Sequence, residues 1–530
     1  MSLPTPVGRL EALREGVASA RVWAATKRTA ARVAAPAGAI VGGALALRVI
    51  YGVAFANYDT LYALAWGGQL ARGETPAYGV PIAPTPHPLV ELVGLVLYPL
   101  GAHAVEDVTV ALGFLALSAC GWVIYLLGRE WFGRAAGALA ALIFLTRVPV
   151  ISYGVRAYVD IPYLLAVLGA LLMETRRRRA GAPVLVLLGL AGLLRPEAWA
   201  FSGLYLIYLV AAERSPALQR LSYGSGPRTG LDDEPHAADP RWTPPARGTR
   251  ELAGLALLAA GAPLVWLLSD LAVTGDALWS LTNTRHTAST LQRATGIANV
   301  PEYIPRRLGE VLRPPVLLGA AAGGVMTLLW TRRRAAVGAV VGVTAVFVFA
   351  VFASFGLPIN TRYGFLAGSI LCIFCGAGVF GWKLLARGDR HRRIWQIAAA
   401  VVAVALVAYT PATVKSAHRE LGKLADQHGI ENELVALVKG HAVTLACGPV
   451  GVPNHAPIPL LALYLKTSPA RIVSPEAGQI SSGTYLAASP RALQHYVLDP
   501  HDPHYTGRPP SDFVEVHADR SWRVLVLCRR

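Results

Sequence analysis

The feature that most constrains this chain is a series of long apolar stretches separated by clusters of arginine and lysine. The first stretch covers about residues 34–56, and a helix needs about 20 mainly apolar residues to cross a bilayer. The composition agrees, because 54% of the residues are hydrophobic and only 15% are charged. A soluble protein carries about 25% charged residues. The sequence therefore predicts a polytopic α-helical membrane protein.

The basic clusters predict the orientation of the spans. The net charge is +17, and lysine and arginine are enriched in the cytoplasmic loops of membrane proteins. When the clusters are placed in the cytoplasm, the chain has about eleven transmembrane helices and its C-terminus lies outside. This distribution assigns the positive charge to membrane topology and not to nucleic acid. The predicted spans lie at about 34–56, 106–128, 135–150, 161–175, 181–194, 197–212, 251–273, 314–330, 335–356, 363–385 and 394–411.

This topology divides the chain into three parts within a multi-pass protein of the cell membrane. A basic cytoplasmic N-terminus (1–33) precedes the transmembrane domain (34–411), and an extracytoplasmic domain follows (412–530). The transmembrane domain contains two external loops and one polar, flexible cytoplasmic loop rich in Pro, Gly and Arg. These three loops are 57–105 and 274–313 outside and 213–250 in the cytoplasm.

The last 120 residues or so have a different pattern. An amphipathic helix is predicted at 413–440, and strand-like runs follow, which together predict a small α/β domain. The strand-like runs are 442–447, 513–516 and 522–528, with a helix-like segment at 457–466. Cys447 and Cys528 each end a predicted strand, and an oxidising exterior would permit them to form a disulfide.

Two acidic residues stand at the outer ends of predicted spans. Asp59 follows the first span, and Asp160 precedes the fourth, two residues before Pro162. Each has an alternative reading as a helix N-cap, since Asp is favoured there and Pro is common in the first turn. An ionisable group at membrane depth is otherwise a functional candidate. If the two converge, one carboxylate can deprotonate a hydroxyl nucleophile while the other orients it.

Several arginines are predicted outside, against the usual bias. Arg195 and Arg362 are the best candidates to bind a phosphate, because arginine binds phosphate bidentately and stays charged. Arg285 is a third candidate in a loop that also carries Arg293. Anionic lipid headgroups are the alternative partner of any one of them. No clustered His, Asp and Glu residues suggest a metal site, so no cofactor is predicted, and the need for a divalent metal stays open. The predicted substrate-binding residues are Tyr58, His87, Glu197, Tyr363 and His286.

These motifs resemble the GT-C superfamily of membrane glycosyltransferases, especially the protein mannosyltransferase and aminoarabinose transferase branch. The resemblance covers roughly residues 35–200 with some specificity. It rests on Asn57-Tyr58-Asp59, His87-Pro88-Leu89, Gly128-Arg129-Glu130-Trp131-Phe132-Gly133, Arg156-x-x-x-Asp160-Ile161-Pro162 and Leu194-Arg195-Pro196-Glu197. The family usually has a second acid beside the first, or a Lys-Pro-Pro after it. Here Thr60 and His87-Pro88 stand in those places, so the substrate subclass stays open.

The resemblance implies an inverting transfer of a sugar from a polyprenyl-phosphate donor to a glycan, lipid or protein acceptor. Asp59 would be the general base, and Asp160 would assist it or position the acceptor. Arg195 and Arg362 would neutralise the departing lipid phosphate, which needs charge stabilisation in a water-poor cavity. A mannose or arabinose donor used in cell-envelope synthesis fits the composition.

Two other functions stay open at this point. A flippase for lipid-linked glycans would also be a polytopic membrane protein, but such transporters commonly show internal repeats and polar sites at mid-membrane. Neither feature is visible in this sequence. A non-catalytic scaffold that holds a partner with the C-terminal domain is the third possibility.

Overall fold

The computed structural model describes residues 34–215, 245–331, 336–497 and 509–528. Within these ranges, seven helices are long and apolar enough to cross a membrane, or eight if one pair bent by 65° forms a single span. The chain is therefore a polytopic α-helical membrane protein, as predicted. The basic N-terminus 1–33 and most of the predicted cytoplasmic loop 213–250 lie outside the described residues.

A helix lies at every one of the eleven predicted spans. In chain order these helices are α1 (Ala34–Tyr51), α4 (Ala102–Phe132), α5 (Arg134–Leu145) with α6 (Val148–Val155), α7 (Asp160–Arg176), α8 (Ala182–Gly192), α9 (Glu197–Arg214), α10 (Thr249–Thr274), α12 (Val300–Trp330), α13 (Ala336–Ser354), α14 (Phe365–Phe380) and α15 (Arg390–Lys439). The two predicted external loops contain further helices, α2 (Tyr58–Ala71), α3 (Pro88–Leu97) and α11 (Trp279–Thr290).

The predicted number of about eleven spans is higher than the number of helices that could cross alone. The three predicted spans that are not among the helices able to cross alone are α7, α8 and α9. These helices have 17, 11 and 18 residues. Crossing the hydrocarbon core takes roughly 17–25 residues, so α7 is marginal and α8 is too short. The helix α9 is long enough, but it carries Glu197, Glu213 and Arg214 at its ends.

Helix α14 lies at the centre of the bundle, and nearly all of its residues are buried. Its backbone touches that of α12, because a Cβ atom added to Gly323 would lie 2.0 Å from the carbonyl oxygen of Phe374. Such close approach is typical of membrane helices that pack through small residues. The pair fixes the position of the short turn Thr361–Gly364, which immediately precedes α14.

The last membrane helix continues into the C-terminal part without a break. The 50-residue helix α15 continues past the predicted boundary at 412, with Pro411 inside it. The helices and strands that follow are β1 (Val450–Gly451), α16 (Ile458–Tyr464), β2 (Ile472–Val473), β3 (Gly483–Ala488), α17 (Pro490–Ala492), β4 (Val514–Ala518) and β5 (Trp522–Leu527). The strands form a five-stranded sheet in the order β2-β1-β3-β5-β4, with β1 parallel to both of its neighbours and the other pairs antiparallel.

The prediction of a strand at 442–447 is wrong. These residues form turns and bends, and the first strand, β1, starts at Val450. A Cβ atom at Gly451 would lie 2.6 Å from the ring of Tyr485, so the bare backbone of β1 makes room for a side chain of β3. The predicted α16, β4 and β5 are present, and Cys447 and Cys528 form a disulfide.

Candidate active site

A cavity of about 690 Å³ collects most of the predicted site residues. Its walls come from the first external loop, from several membrane helices and from the C-terminal domain. Asp160 lies behind the wall, because only 2% of its surface is exposed. The predicted residues that line the cavity are Tyr58, Asp59, His87, Arg195, Glu197, Arg362 and Tyr363.

Asp59 is not a helix cap. The N-cap of α2 is Asn57, whose side-chain oxygen accepts from the backbone N–H of Asp59 at 2.8 Å and from that of Thr60 at 3.3 Å. Asn is among the best N-cap residues, so the helix needs no second cap. The Asp59 carboxylate is therefore left to face the cavity, where its Oδ2 accepts a hydrogen bond from Nη1 of Arg362 at 2.7 Å.

Asp160 also makes no capping hydrogen bond. It lies in the first turn of α7, and its Oδ1 accepts a hydrogen bond from Nη1 of Arg195. Arg195 donates to both oxygens of Glu197 as well, at 3.2 and 2.7 Å. Nη1 of Arg362 lies 3.9 Å from the other oxygen of Asp160. The side chains of these five residues thus form a row of alternating charges that runs from Asp59 to Glu197.

The net charge of this row of five side chains determines whether it can bind an anion. When all groups are ionised, three carboxylates face two guanidinium groups, which leaves one negative charge. Both arginines are already paired. However, Nε of Arg362 is buried and finds no hydrogen-bond partner in the described parts of the chain. Because an unsatisfied buried donor is costly, Arg362 has both the position and a free N–H group for an anionic ligand.

A further cation on the cavity wall is Arg293, which the sequence analysis did not select. It follows α11 and its side chain is exposed. Its backbone N–H donates to the carbonyl oxygen of Ala288, whereas its guanidinium forms no hydrogen bond or ion pair with any residue that the structure describes. Arg285 does not reach the cavity, since its Nε donates to the carbonyl oxygen of Phe355 at 2.5 Å. His286 is exposed and also lies away from the cavity.

The ionisation of two groups follows from their surroundings. Burial alone would raise the pKa of Asp59, but the nearby charge of Arg362 outweighs it and holds that pKa below its usual range. Burial lowers the pKa of His87 to about 4. Asp59 is therefore a carboxylate at neutral pH, and His87 is a neutral imidazole whose buried Nδ1 has no partner among the described residues.

One end of the cavity is apolar and aromatic. Trp199 and Trp266 pack with their ring centroids 5.5 Å apart, and Phe352 and Leu281 continue this surface. Phe355 lies at the rim with 59% of its surface exposed. This end can hold a hydrocarbon chain, while the arginines a short distance away can hold a polar headgroup.

Another part of the lining comes from the C-terminal part of α15 and from the C-terminal domain. Gln427, Glu431 and His455 line it, and none of them belongs to a motif that the sequence analysis recognised. The imidazole of His455 lies with its centroid 5.6 Å from the ring of Tyr58, directly beside Asp59. The C-terminal domain therefore contributes to the same cavity as the membrane helices.

No metal site is visible in the described ranges, where no group of three or more His, Cys, Asp or Glu residues could hold an ion.

Comparisons with known proteins give distant structural similarity. No family model matches the chain, and no curated protein matches its sequence. The structure is similar to ArnT from Cupriavidus metallidurans bound to undecaprenyl phosphate, with 14% identity, a TM-score of 0.49, and coverage of 92% of this chain and 97% of ArnT.

It is also similar to an oligosaccharyltransferase from Archaeoglobus fulgidus tethered with an acceptor peptide. The identity is 11% and the TM-score 0.45, and the match covers 82% of this chain and 64% of that protein. Since both TM-scores are below 0.5, the function has to be argued from the chain's own residues.

Proposed function

We propose that this protein is a GT-C-type glycosyltransferase that moves a sugar from a polyprenyl-phosphate donor to a hydroxyl acceptor, with inversion at the anomeric carbon. The observation that carries the proposal is the contact between Asp59 and Arg362 on the wall of the cavity. It joins a carboxylate that can accept a proton to a guanidinium that can bind a phosphate.

The shape of the cavity supports an amphiphilic donor. Its aromatic end around Trp199 and Trp266 suits an isoprenoid chain, and the exposed ring of Phe355 at the rim lets that chain enter from lipid. The phosphate then meets Arg362 and Arg293. Nε of Arg362 is a buried donor without a partner among the described residues, and the guanidinium of Arg293 adds a positive charge to the cavity wall.

Donor binding also changes Asp59. A phosphate that hydrogen-bonds to Arg362 competes with the ion pair that holds the pKa of Asp59 down. With this pairing weakened, burial favours the protonated form of the carboxyl group. Asp59 is thus a stronger base when the donor is bound, which links proton removal to the presence of the sugar.

The proposed reaction assigns a role to each of these groups. The acceptor oxygen attacks the anomeric carbon and forms the new C–O bond, and its proton passes to the Asp59 carboxylate. The bond between the anomeric carbon and the phosphate oxygen breaks on the opposite face, and the electron pair leaves with the phosphate. Arg362 and Arg293 stabilise the added charge. Neutral His87 and the ring of Tyr363 bind the sugar, while Asp160 and Glu197 hold Arg195 in place.

The proposal places the cavity and the C-terminal domain on the outer face of the cell membrane. The basic clusters alternate with the eleven spans predicted from the sequence, which supports this orientation by the positive-inside rule. A disulfide between Cys447 and Cys528 suits an oxidising compartment. Mannose and arabinose are the first sugars to test as donors.

The deciding experiment is sugar transfer by the purified protein in nanodiscs. Polyprenyl-phosphate mannose, arabinose and glucose are offered with membrane extract as the acceptor source. We expect Asp59→Asn to reduce transfer by about 10²- to 10⁴-fold, the usual contribution of a general base. The matched control is Asp107→Asn, which changes an exposed acid on α4 away from the cavity.

Transfer that survives Asp59→Asn within a few-fold would remove Asp59 from the chemistry. Movement of labelled donor lipid across vesicles without transfer to any acceptor would favour the flippase. A protein that binds neither donor nor acceptor would favour the scaffold.

A further inference from the structure

A second pocket lies between α6, α12 and α15, and it shares no lining residue with the main cavity. Its volume is about 80 Å³. Since a water molecule takes up about 30 Å³, this space suits a group as small as a phosphate. We call it the interface pocket, and its polar lining consists of Arg147, Glu310, Arg313, Tyr409, Thr413 and Ser416.

The helices around the interface pocket are bent or interrupted beside it. Arg147 lies in the connection between α5 and α6, which meet at an angle of 65°. Helix α12 is kinked at Arg313, which precedes two prolines, and Pro411 lies inside α15. These points are within a few residues of the ends of three predicted spans, 135–150, 314–330 and 394–411. The pocket is therefore at the predicted edge of the hydrocarbon core, at the depth of lipid headgroups.

Arg147 is a buried cation whose guanidinium contacts only uncharged groups among the described residues. Just 8% of its surface is exposed. It donates to the carbonyl oxygens of Ile143 at 3.1 Å and Leu312 at 3.2 Å, and to the hydroxyl oxygen of Thr146 at 3.3 Å. A guanidinium has five N–H groups, so two remain for a ligand. Because buried charges are normally paired, Arg147 lacks an anion.

Arg313 brings a second cation to the interface pocket. Its side chain is exposed, and its guanidinium forms no hydrogen bond or ion pair within the described ranges. Its backbone angles are φ 65° and ψ 157°, a region that glycine occupies readily and other residues rarely adopt. Such strained residues are found preferentially at ligand and catalytic sites. An arginine at a position that favours glycine therefore indicates a use for its side chain.

Glu310 is the one acid that lines the interface pocket in the described part of the chain, and its carboxylate is already occupied. Nη1 of Arg307 donates to both of its oxygens at 3.0 and 2.9 Å, and the hydroxyl of Thr361 donates to Oε2 at 2.8 Å. Nε of Arg306 lies 3.5 Å from Oε1. With the two lining arginines, four arginines and one glutamate meet here, so this group carries a net charge of +3.

Helix α15 supplies hydroxyl groups on the third side. Thr413 donates to the carbonyl oxygen of Tyr409 at 3.2 Å, while the hydroxyl groups of Tyr409 and Ser416 form no hydrogen bond with a described residue. Exposed apolar side chains follow on α15 and α12 towards the membrane centre. Val407 is 73% exposed and Leu318 is 49% exposed. The pocket thus combines cations and hydroxyl donors with neighbouring surfaces on which acyl chains can lie.

An exposed arginine at the end of a span often reaches the headgroup region without forming a specific site. This explanation fits Arg313 taken alone. It does not fit Arg147, because a side chain that is buried and bound to two backbone carbonyl groups cannot extend outwards to the lipid surface. A phosphate has to enter the pocket to meet it.

We propose that the interface pocket binds the phosphate group of an anionic membrane lipid, at a site separate from the glycosyl donor. Arg147 and Arg313 contact the phosphate oxygens, and the hydroxyl groups of Tyr409 and Ser416 donate to them. Arginine suits this role because its planar group binds phosphate oxygens in pairs, and basic pockets between membrane helices bind lipid headgroups. The proposal does not depend on the transfer reaction.

The test is native mass spectrometry of the full-length protein in detergent, titrated with lipids. The probes are phosphatidylglycerol, zwitterionic phosphatidylcholine and inorganic phosphate, with undecaprenyl phosphate measured in parallel. We expect phosphatidylglycerol to bind about tenfold or more tightly than phosphatidylcholine, because only its phosphate charge is not offset within the headgroup. Inorganic phosphate at the same concentration should not displace it.

Variants locate the bound lipid. We expect Arg313→Gln to weaken phosphatidylglycerol binding by about 10- to 100-fold, the usual effect of losing a hydrogen bond to a charged group. Undecaprenyl phosphate binding should stay unchanged. The matched control is Arg419→Gln, an exposed arginine of α15 just beyond Ser416 that does not line the pocket. Loss of general attraction to an anionic lipid surface costs no more than about fivefold.

A glycine variant separates the ligand from the backbone strain. Without added lipid, Arg313→Gly should melt at the same temperature as the unmodified protein or higher, because glycine adopts this conformation without strain. Added phosphatidylglycerol should raise the melting temperature of the unmodified protein and leave that of Arg313→Gly unchanged. An equal rise in both proteins would overturn the proposal.

Three further results would also overturn it. Equal binding of phosphatidylcholine and phosphatidylglycerol by the unmodified protein would remove the anionic lipid, even if no variant folds. Displacement of phosphatidylglycerol by an equal concentration of inorganic phosphate would replace the lipid with a free anion. Equal losses in Arg313→Gln and Arg419→Gln would reduce the site to general surface attraction. If Arg313→Gln weakened undecaprenyl phosphate binding as much as phosphatidylglycerol binding, the pocket would belong to the donor and would not be a separate site.

Discussion

The carboxylate of Asp59 and the guanidinium of Arg362 meet at 2.7 Å although 303 residues separate them in the chain. The two side chains come from different parts of the fold, the first turn of α2 and the turn before α14. Each is only partly exposed, at 16% and 19%. This contact holds the first external loop against the central helix, so it contributes to stability as well as to chemistry.

Replacing Arg362 with Met should make stability depend differently on pH. Arg362 lowers the pKa of Asp59 in the folded protein, and a group with a depressed pKa stabilises the fold above its unfolded pKa of about 3.9. That contribution disappears as the pH falls through the folded pKa. We expect the variant to be about 1–3 kcal/mol less stable at pH 7, with the difference shrinking below about pH 4.

Thermal unfolding of both proteins in nanodiscs between pH 3 and pH 7 measures this effect. A difference that stays constant over the whole range would show that the ion pair does not control the ionisation of Asp59.

Replacing Arg195 with Met should destabilise the fold much more than a similar change at the surface. Arg195 lies between the buried carboxylates of Asp160 and Glu197, and removing one member of a buried ion pair costs about 3–5 kcal/mol. The control is Arg72→Met, since Arg72 pairs with Glu74, whose side chain is 44% exposed. Such surface pairs contribute about 0–1 kcal/mol.

Melting temperatures of the two variants, compared with the unmodified protein, give the result. Equal decreases in melting temperature for Arg195→Met and Arg72→Met would mean that the buried ion pairs of Arg195 add no more stability than a surface ion pair.

Adjacent glycines in α12 should respond oppositely to alanine. A Cβ atom at Gly323 would lie 2.0 Å from the carbonyl oxygen of Phe374, whereas one at Gly324 would meet nothing within 4 Å. Overpacking costs about 1–3 kcal/mol, so Gly323→Ala should unfold at a lower temperature. Gly324→Ala should be neutral or slightly stabilising, because alanine favours the helix. Size-exclusion chromatography after graded heating distinguishes them, and a matching loss in both would contradict this packing.

Reduction of the Cys447–Cys528 disulfide should loosen the C-terminal domain. The bond closes a loop with a sequence separation of 81 residues, and loss of a native disulfide commonly costs about 2–5 kcal/mol. We expect reductant to increase protease cleavage after α15. The three other cysteines are buried, so alkylation of the reduced native protein should label only these two. Labelling of all five would show that the membrane domain opens as well.

The sequence predicted the membrane helices well because apolar length is a local property. Recognising the apolar run at 34–56 and Asp59 just after it requires no knowledge of distant residues. The same holds for α16 and β5. Asp59 and Asp160 were also found locally, from their position beside apolar spans. Their alternative roles as caps depended on which neighbour provides the capping group, and the side chain of Asn57 decides this for α2.

The rest of the site depends on contacts between distant segments. Nothing near Arg293 distinguishes it from Arg285 in sequence; the difference is that Arg285 binds the carbonyl oxygen of Phe355 and Arg293 reaches the cavity. His455 could not be recognised either, because its partner Glu476 lies 21 residues away in a different loop. The strand predicted at 442–447 failed since alternating apolar residues there form turns that lead to the disulfide.

The continuous helix α15 connects the membrane bundle to the C-terminal domain. At 1.5 Å per residue its 50 residues measure about 75 Å, more than twice the thickness of a hydrocarbon core. Trp395 near one end packs against Gly381 among the spans, and Glu431 near the other end faces the cavity. One continuous helix thus carries a residue that packs among the spans and a residue that lines the cavity. The position of Glu431 is therefore tied to that of the membrane helices through the backbone of α15 and not through a flexible linker.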